Sequence, residues 1–241
     1  MQCLIIAAGQ GSRLRSKAAS KPLAEIAGRP LIAHVIQRAR AGGATSFVVV
    51  TGYAGRGLEE FLARFSADEG VAIDCVRNEE WRRPNGVSVA AAAPRLAERF
   101  LLVMSDHLVD PGIVAETIAA PERGDLCLAV DRAIDNPLID LDDATKVVTG
   151  EDGRIVRLGK AIEGYDAIDT GVFRCGKALI DAIGASVAAG GQGSLSEGVQ
   201  RLADKGRAFT VDIGGRWWLD VDDPRALALA QTRLGEAKEL I

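Results

Sequence analysis

The chain opens on Gln2-Cys3-Leu4-Ile5-Ile6-Ala7-Ala8-Gly9-Gln10-Gly11-Ser12-Arg13, a short apolar run followed directly by a glycine-rich turn. The apolar run predicts a buried strand. Glycines placed after such a strand let backbone N–H groups approach an anion, because no Cβ stands in the way. Arg13 ends the turn and Lys21 follows within the same loop, so two fixed positive charges flank the glycines. This layout predicts a site for a triphosphate.

Outward from this loop, strand-like and helix-like stretches alternate. Continuous apolar runs at residues 47–50, 100–104 and 126–130 are typical of strands buried on both faces. Between such runs, apolar residues recur at helical spacing, as in residues 31–39. This order predicts a parallel sheet with helices on both faces, whose ligands bind at the carboxyl ends of the strands.

The second half of the chain departs from this rhythm. Two strand-like stretches, residues 146–149 and 154–158, flank a turn at Asp152-Gly153, and this pattern predicts a β-hairpin. The stretch Ser194-Leu195-Ser196-Glu197 predicts a capping box at the start of a helix. We therefore expect a single α/β domain over residues 1–241, with a mostly parallel sheet and the hairpin as a lid over the ligand edge.

Composition narrows the class of protein. The chain has 241 residues, of which 48% are apolar and 26% charged, as in ordinary globular domains. The net charge of -4 argues against a general nucleic-acid binder. No apolar run reaches the roughly 18 residues that a membrane span needs, and we expect no signal peptide because Met1 runs directly into the first strand. Four cysteines without a C-x-x-C pair predict buried free thiols and a cytoplasmic location.

A dinucleotide site is the first alternative for the glycine loop. That site needs a third glycine and an acid at the tip of the second strand. The chain has Leu14 at the third glycine position, and Thr51-Gly52 at the end of the second strand. The sequence therefore disfavours a dehydrogenase.

Five further blocks follow the glycine loop and its Lys21-Pro22 pair. They are Asn85-Gly86-Val87-Ser88, Met104-Ser105-Asp106-His107, Gly159-Lys160-Ala161-Ile162, Asp169-Thr170-Gly171 and Trp218-Leu219-Asp220-Val221-Asp222. In this order the blocks resemble the nucleotidyltransferases that join an NTP to a phosphorylated sugar, polyol or amino alcohol. The Ser-Asp-His block and the hairpin running into Gly-Lys look most like CTP:inositol-1-phosphate cytidylyltransferases, and cytidylyltransferases for phosphocholine or aminoethylphosphonate are a looser match. The resemblance implies a three-layer, Rossmann-like sandwich of the GT-A-like nucleotidyltransferase fold.

The resemblance also implies which residues bind the nucleotide. The triphosphate would be held by the glycine loop and its two cations, and the base would lie against the segment before a helix. These residues are Ala8, Gly9, Gly11, Arg13, Lys21, Asn85, Gly86 and Ser88. Asn85 and Ser88 could equally be plain helix caps, and we treat Lys17 of the same loop as a solvated lysine.

Magnesium is the implied cofactor. It prefers oxygen ligands and often takes one or two protein carboxylates together with phosphate oxygens. Asp106 follows an apolar strand, and Asp220 follows Trp217-Trp218. These two acids are the expected metal ligands, with Asp222 as the alternative to Asp220. Each could instead cap a helix or a turn.

The acceptor would lie against residues after the hairpin. An isolated lysine is usually a solvated charge, but Lys160 in its Gly-Lys-Ala-Ile block resembles the family lysine that contacts the acceptor phosphate. Glu163 and Asp169 could accept hydrogen bonds from acceptor hydroxyls, and Thr170-Gly171 would bring backbone close to the ring.

The expected reaction is in-line attack of the acceptor phosphate on the α-phosphorus of an NTP, with release of pyrophosphate. CTP and inositol 1-phosphate are the favoured pair. The nucleophile is a phosphate monoester with a second pKa near 6, so neither His34 nor His107 is needed as a base. Positioning and charge neutralisation by Arg13, Lys21 and Lys160 then suffice.

Other functions remain open on the sequence. The acceptor could be another phosphorylated alcohol, or a hexose 1-phosphate used with a different NTP. A glycosyltransferase would use a D-x-D pair, which Asp220-Val221-Asp222 fits, although that pair usually follows a strand in the middle of the chain. A non-catalytic nucleotide sensor is the third alternative, and it would not need both metal ligands.

Overall fold

The computed structural model describes residues 1–14 and 20–239 of the chain. Within them, the strands in chain order are β1 (Gln2–Ala7), β2 (Glu25–Ile26), β3 (Arg29–Pro30), β4 (Ser46–Thr51), β5 (Ile73–Arg77), β6 (Arg99–Met104), β7 (His107–Val109), β8 (Leu126–Asp131), β9 (Lys146–Thr149), β10 (Ile155–Gly159), β11 (Ala167–Gly176), β12 (Ala208–Asp212) and β13 (Trp218–Asp220). The α-helices are α1 (Leu31–Ala41), α2 (Gly55–Glu69), α3 (Gly86–Ala92), α4 (Pro111–Ala119), α5 (Lys177–Ala188), α6 (Leu195–Ala203) and α7 (Pro224–Glu239). Lys17 lies outside the described residues.

The central sheet has nine strands, and its main path runs β10-β9-β11-β6-β1-β4-β5. Strands β6, β1, β4 and β5 are parallel to one another, as the apolar runs predict. Strand β11 runs antiparallel to β6 and to β8, and β12 pairs parallel with β8. The predicted α/β class with its mostly parallel sheet is confirmed. Because β11 runs the other way, its first residues lie at the same edge of the sheet as the carboxyl ends of β1 and β6.

Two hydrophobic layers cover the two faces of this sheet. Alternate residues of β1 point to opposite sides, so Cys3 and Ile5 belong to one layer and Leu4 and Ile6 to the other. Residues of α1, α2, α4 and α7 pack in the first layer, and residues of α3, α5 and α6 in the second. This arrangement is the predicted sandwich, and it leaves the carboxyl edge of the parallel strands open for a ligand.

The predicted hairpin is formed by β9 and β10, which pair antiparallel and extend the sheet beside β11. Its turn packs against β12, where the N–H of Thr210 donates to the carbonyl of Gly153 at 2.8 Å. Lys160 follows β10 directly and borders the cavity described below. One end of the hairpin thus lies at the ligand edge, and its role as a lid over that edge stays a prediction.

A short two-stranded sheet beside the main one is not predicted from the sequence. Strands β7 and β13 pair antiparallel, with His107 opposite Asp220. The backbone N–H of Val221 also donates to the carbonyl of Asp106 at 2.9 Å. This pairing brings together acids that are more than a hundred residues apart in the chain.

The predicted capping box at α6 is confirmed. The Ser194 hydroxyl accepts from the N–H of Glu197 at 3.1 Å, and the Glu197 carboxylate accepts from the N–H of Ser194 at 3.1 Å. The box fixes the start of α6, whose first residue borders the candidate site.

The four cysteines are free, as predicted, but they are not all buried. Cys3, Cys127 and Cys175 lie in the interior, whereas Cys75 is exposed. The expectation for Cys75 was wrong because β5 is the last strand of the sheet path, so its side chains are only partly covered. No helix of the described residues is both long enough and apolar enough to cross a bilayer.

Candidate active site

Two adjoining cavities lie at the carboxyl edge of β1 and β6, with volumes of about 590 and 300 Å³. The glycine loop and Lys21 border the smaller cavity. The larger cavity is bordered by Lys160, Asp169 and the segment 137–145. Arg13 and Asp106 border both cavities, so the two form one continuous site.

The glycine loop forms a wall of the smaller cavity through Gly9 and Gly11. Gly11 has a φ of +55°, and a Cβ there would lie 2.5 Å from the Cβ of Lys21. Only glycine therefore lets Lys21 pack against the loop. Ala8 does not border a cavity, since its side chain is buried and its carbonyl accepts from the N–H of Tyr53 at 3.0 Å. Ala8 therefore stabilises the glycine loop without contacting either cavity.

Lys21 is the buried cation of the site, with a side chain that is only 6% exposed. Its Nζ donates to Asp106 at 2.6 Å and to Asp222, and it lies 3.8 Å from Asp220. A buried ammonium of this kind is stable only when carboxylates surround it. Lys21 thus joins the glycine loop to both acidic segments.

Arg13 is the second cation, and it is half-exposed at the mouth. Its guanidinium contacts Asp143 and lies 2.7 Å from the Asp222 carboxylate. The predicted convergence of Arg13 and Lys21 with the acids of the chain's middle and end is therefore present in the structure.

Asp106 directly follows β6 and faces both cavities. Its Oδ1 lies 2.9 Å from Nδ1 of His107. Burial alone would raise the pKa of Asp106, but Lys21 and His107 outweigh that cost and hold it well below its ordinary value. Asp106 is therefore ionised over the whole physiological range.

His107 is fixed beside Asp106. Its ring stacks on the indole of Trp218, with centroids 5.9 Å apart and an interplanar angle of 5°. Burial would lower the pKa of His107, but the carboxylates of Asp220, Asp106 and Asp169 raise it to about 9. A charged imidazole at this position holds the Asp106 carboxylate and agrees with the expectation that His107 is not a base. His34 lies elsewhere, with Nε2 2.8 Å from the carbonyl oxygen of Ile26.

Asp220 and Asp222 come from the chain's end. Oδ1 of Asp220 is buried and has no hydrogen-bond partner among the residues that the structure describes. Burial and the nearby charge of Asp106 raise the pKa of Asp220. Ligand atoms of Asp106, His107 and Asp220 lie within 4.8 Å of one another, and so do those of Asp143, Asp220 and Asp222. Both Asp220 and Asp222 are placed to bind a cation, but Asp222 is already bonded to Arg13 and Lys21.

The carboxylates that border the larger cavity would favour the binding of a metal ion. Among the described residues that border it, aspartates outnumber the basic side chains of Arg13, His107, Lys160 and Arg225; these aspartates are Asp106, Asp140, Asp142, Asp143, Asp169, Asp220, Asp222 and Asp223. A divalent cation bound among these carboxylates would offset their negative charge. The unpartnered Asp220 oxygen fits such an ion.

Of the predicted acceptor residues, the structure places two on the cavity wall. Lys160 and Asp169 border the larger cavity, and Lys160 contacts Asp143. Burial raises the pKa of Asp169 to about 6, although the N–H of Gly171 donates to its carboxylate at 2.7 Å. Glu163 is exposed and borders neither cavity. Thr170 points into the core and donates to the carbonyl of Ala129 at 2.8 Å.

The predicted base-contacting segment is only partly on the cavity wall. Asn85 borders both cavities, and its Oδ1 accepts from the N–H of Leu195 at 2.9 Å, so it does not cap α3. A Cβ on Gly86 would lie 2.4 Å from the carbonyl oxygen of Gly193, so this glycine makes room for backbone and not for a base. Ser88 is buried and accepts from the Asn78 amide at 3.0 Å. Gly86 and Ser88 border neither cavity, and their contact with a nucleotide stays a prediction.

The segment between β8 and β9 was missed by sequence reasoning. Its residues 137–145 border the larger cavity, and Asp143 contacts both Arg13 and Lys160. The segment carries no glycine motif and no strand or helix period. The run Asp140-Leu141-Asp142-Asp143 was the available signal, and it reads as an ordinary solvated loop.

Comparison with known proteins agrees with the geometry. The MobA-like NTP transferase domain family matches residues 3–149. The chain is 36% identical over 231 residues to the "Bifunctional IPC transferase and DIPP synthase" of Rubrobacter xylanophilus, covering 94% of this chain and 50% of that protein. It is 31% identical over 244 residues to the N-acetylmuramate alpha-1-phosphate uridylyltransferase of Caulobacter vibrioides, covering 97% of each. The chain spans about half the length of the bifunctional relatives that it matches.

A solved structure shows the same architecture. The inositol-1-phosphate CTP transferase from T. maritima superposes with a TM-score of 0.85 at 26% identity, covering 98% of this chain and 96% of that one. A UDP-glucose pyrophosphorylase, with a TM-score of 0.79 at 15% identity, shares the fold. The cation-flanked glycine loop, the fold and the matched sequence together show that this chain belongs to the MobA-like NTP transferase domain family.

Proposed function

We propose that the chain transfers a cytidylyl group from CTP to the phosphate of a phosphorylated polyol, with inositol 1-phosphate as the favoured acceptor, and releases pyrophosphate. One observation carries the proposal: the cations Arg13 and Lys21 and the carboxylates Asp106 and Asp220 border two adjoining cavities that share Arg13 and Asp106. A triphosphate with its counter-cation needs both kinds of charge in one place.

In the proposed reaction, an oxygen of the acceptor phosphate attacks the α-phosphorus. A new P–O bond forms, the bond from the α-phosphorus to the bridging oxygen breaks, and that oxygen leaves with pyrophosphate. Arg13 and Lys21 neutralise the triphosphate, and Lys160 orients the attacking phosphate. When bound by Asp106 and Asp220, with Asp222 as the alternative ligand, magnesium supplies charge neutralisation at the phosphate oxygens.

The phosphate monoester needs no base, because its second pKa near 6 leaves it largely dianionic at pH 7. The site agrees with this, since His107 is bonded to Asp106 and its raised pKa keeps it protonated. Catalysis then rests on positioning and charge.

The choice of substrates rests on relatives. The T. maritima structure is named an inositol-1-phosphate CTP transferase, and the match covers nearly all of both chains. On the acceptor side of the cavity, Asp169 offers a carboxylate to hydroxyl groups, as a polyol requires. Cytidylyltransferases for phosphocholine or aminoethylphosphonate would instead need to surround a quaternary or primary amine.

A sugar 1-phosphate uridylyltransferase is the second candidate. The Caulobacter vibrioides relative named for that activity matches 97% of each chain, in contrast to the bifunctional relatives. The two candidates share the pyrophosphate-releasing chemistry and differ in base and acceptor.

The test is a screen for pyrophosphate release with the four NTPs against inositol 1-phosphate, other phosphorylated alcohols and sugar 1-phosphates, with magnesium. We expect the largest rate with CTP and inositol 1-phosphate. A largest rate with UTP and a sugar 1-phosphate would establish the second candidate. Release of a nucleoside diphosphate in place of pyrophosphate would indicate a glycosyltransferase, and binding of NTP without turnover across the panel would indicate a sensor.

The remaining expectations are also proposals. We infer that residues 1–241 act as one nucleotidyltransferase domain, because a single sheet runs through both substrate sides of the site. Free thiols at the four cysteines support a cytoplasmic location.

A further inference from the structure

Asp143 occupies a position between the two substrate sides of the site. Its carboxylate contacts the guanidinium of Arg13, which flanks the glycine loop, and the ammonium of Lys160, which follows β10. Asp143 itself is mostly covered, with 28% of its side chain exposed. It is therefore shared by a residue proposed for the nucleotide and a residue proposed for the acceptor.

The backbone around Asp143 is fixed. The N–H of Asp143 donates to the carbonyl of Asp140 at 3.1 Å, and the N–H of Ala144 donates to the same carbonyl at 2.8 Å. The carbonyl of Thr145 then accepts from the N–H of Asp169 at 2.9 Å, which ties the end of the turn to β11. The carboxylate thus stands on a hydrogen-bonded turn that is anchored to the sheet.

Lys160 depends on this carboxylate more than Arg13 does. The Lys160 side chain is 60% exposed, and Asp143 is the acid that it contacts. Its backbone carbonyl is held separately by Nζ of Lys146 at 2.6 Å. Arg13 has a second strong partner in Asp222, at 2.7 Å. Loss of Asp143 would leave Arg13 anchored and Lys160 free to rotate.

We propose that Asp143 is a positioning residue that holds the Lys160 ammonium over the larger cavity for the acceptor phosphate. An ammonium has three donors, so Lys160 can keep its bond to Asp143 and still donate to a phosphate. A lysine held in place loses less conformational entropy when the phosphate binds. The inference rests on the proposed function, because it assigns Lys160 to the acceptor.

The test compares Asp143→Asn with the wild type in steady-state pyrophosphate release, varying CTP and acceptor separately. We expect the KM for the acceptor to rise about tenfold, while the KM for CTP stays within about twofold. Asp143→Glu should restore part of the acceptor KM, because it returns the charge. Asp135→Asn is the matched control, since it removes an exposed carboxylate of the same β8–β9 segment that borders neither cavity, and it should leave both KM values unchanged.

A second readout does not need turnover. Acetylation of Lys160 by acetic anhydride, followed by peptide mass spectrometry, should be about threefold faster in Asp143→Asn than in the wild type, because an ammonium bonded to a carboxylate must leave that contact and lose a proton before its nitrogen can attack the anhydride. The exposed Lys177 serves as the internal reference.

The outcomes separate the two claims. If the wild-type protein releases no pyrophosphate with any substrate pair of the panel, the proposed function is wrong. The rate of Lys160 acetylation then still tests whether Asp143 holds the Lys160 ammonium. An unchanged acceptor KM in Asp143→Asn, or unchanged labelling of Lys160, overturns the positioning role. An equal rise of both KM values together with a higher magnesium requirement also overturns it, and would place Asp143 with Asp220 and Asp222 at a metal ion.

Discussion

Lys21 and Lys160 carry the same charge on opposite sides of the site, but their surroundings differ. The Lys21 side chain is 6% exposed and bonded to Asp106 and Asp222, whereas the Lys160 side chain is 60% exposed and bonded to Asp143. On the proposed nucleotide side the lysine is thus buried in the fold, and on the proposed acceptor side the lysine lies at the surface. Changes on the first side should affect both folding and turnover, and changes on the second mainly turnover.

The largest expected effect is that of Asp106→Ala. It removes the carboxylate that faces both cavities and is held ionised by Lys21 and His107. We expect kcat to fall by about 10²–10³-fold, as when a preorganised stabilising group at a reaction centre is lost. The measurement is pyrophosphate release, with circular dichroism to verify folding. The exposed Asp68→Ala on α2 is the control, and retention of wild-type activity by Asp106→Ala would remove this residue from the mechanism.

The two lysines provide the direct test of the comparison. Lys21→Met leaves Asp106 and Asp222 without their buried partner and should lower the free energy of unfolding by about 3 kcal/mol. Lys160→Met breaks an exposed pair and should lower it by less than about 1 kcal/mol. Urea unfolding in the presence of a chelator measures both.

Both lysine variants should lose most of their turnover. If the two variants lose the same free energy of unfolding, Lys21 stabilises the fold no more than Lys160 does. Wild-type turnover in Lys160→Met would contradict its assignment to the acceptor.

A smaller effect is expected at the glycine beside His107. Gly171 has a φ of +76°, and a Cβ there would lie 2.9 Å from the ring of His107 and from Met104. Gly164 has a φ of +66° with open space around it. Gly164→Ala should therefore cost about 1 kcal/mol for backbone strain alone, and Gly171→Ala about 1–3 kcal/mol more for the clash.

The two glycine variants should also differ in catalytic activity. Gly171→Ala displaces His107 and, through it, Asp106, so kcat should fall, whereas Gly164→Ala should keep its kcat. Thermal melting measures the loss of stability, and pyrophosphate release measures kcat. An equal loss of stability in both variants would show that the His107 ring moves aside at little energetic cost.

The smallest effect is a pH dependence on the acceptor side. Burial raises the pKa of Asp169 to about 6 in the folded state, against about 3.9 in an unfolded chain. The folded state therefore binds the proton more tightly, and ionisation of Asp169 costs stability as the pH rises through this range. Below about pH 4 both states are protonated and the cost disappears.

Asp169→Asn removes this cost. The melting temperature of the variant relative to the wild type should rise between pH 4 and pH 6 and then level off. A difference that stays constant with pH would show that Asp169 is not destabilised by its burial. The effect is expected to be small because Asp169 borders an open cavity that admits water.

Much of the nucleotide side could be predicted from the sequence. Strand β1, the glycine loop, Arg13 and Lys21 are close together in the chain, so local patterns report them. Asp106 follows an apolar run, and the carboxyl-edge rule places it beside the glycine loop. The structure brings these groups together as expected.

The rest depends on contacts between distant segments. The pairing of β7 with β13 joins two three-residue strands, which are too short for a recognisable period. Ser88 and Thr170 belong to the matched blocks, but their hydroxyls turn inward to Asn78 and Ala129. Asp143 meets Arg13 across 130 positions of the chain, and a loop without a motif gives no local signal of that contact.

The exposed last strand of the main sheet path has a consequence for handling the protein. An open strand edge can pair with another copy of the chain and lead to aggregation. On β5, the charged side chains of Asp74 and Arg77 are paired with Arg95 and Glu59, and charges on an edge strand discourage such self-association. Replacing Asp74 or Arg77 with β-branched apolar residues should therefore reduce the solubility of the protein while leaving its catalytic constants unchanged.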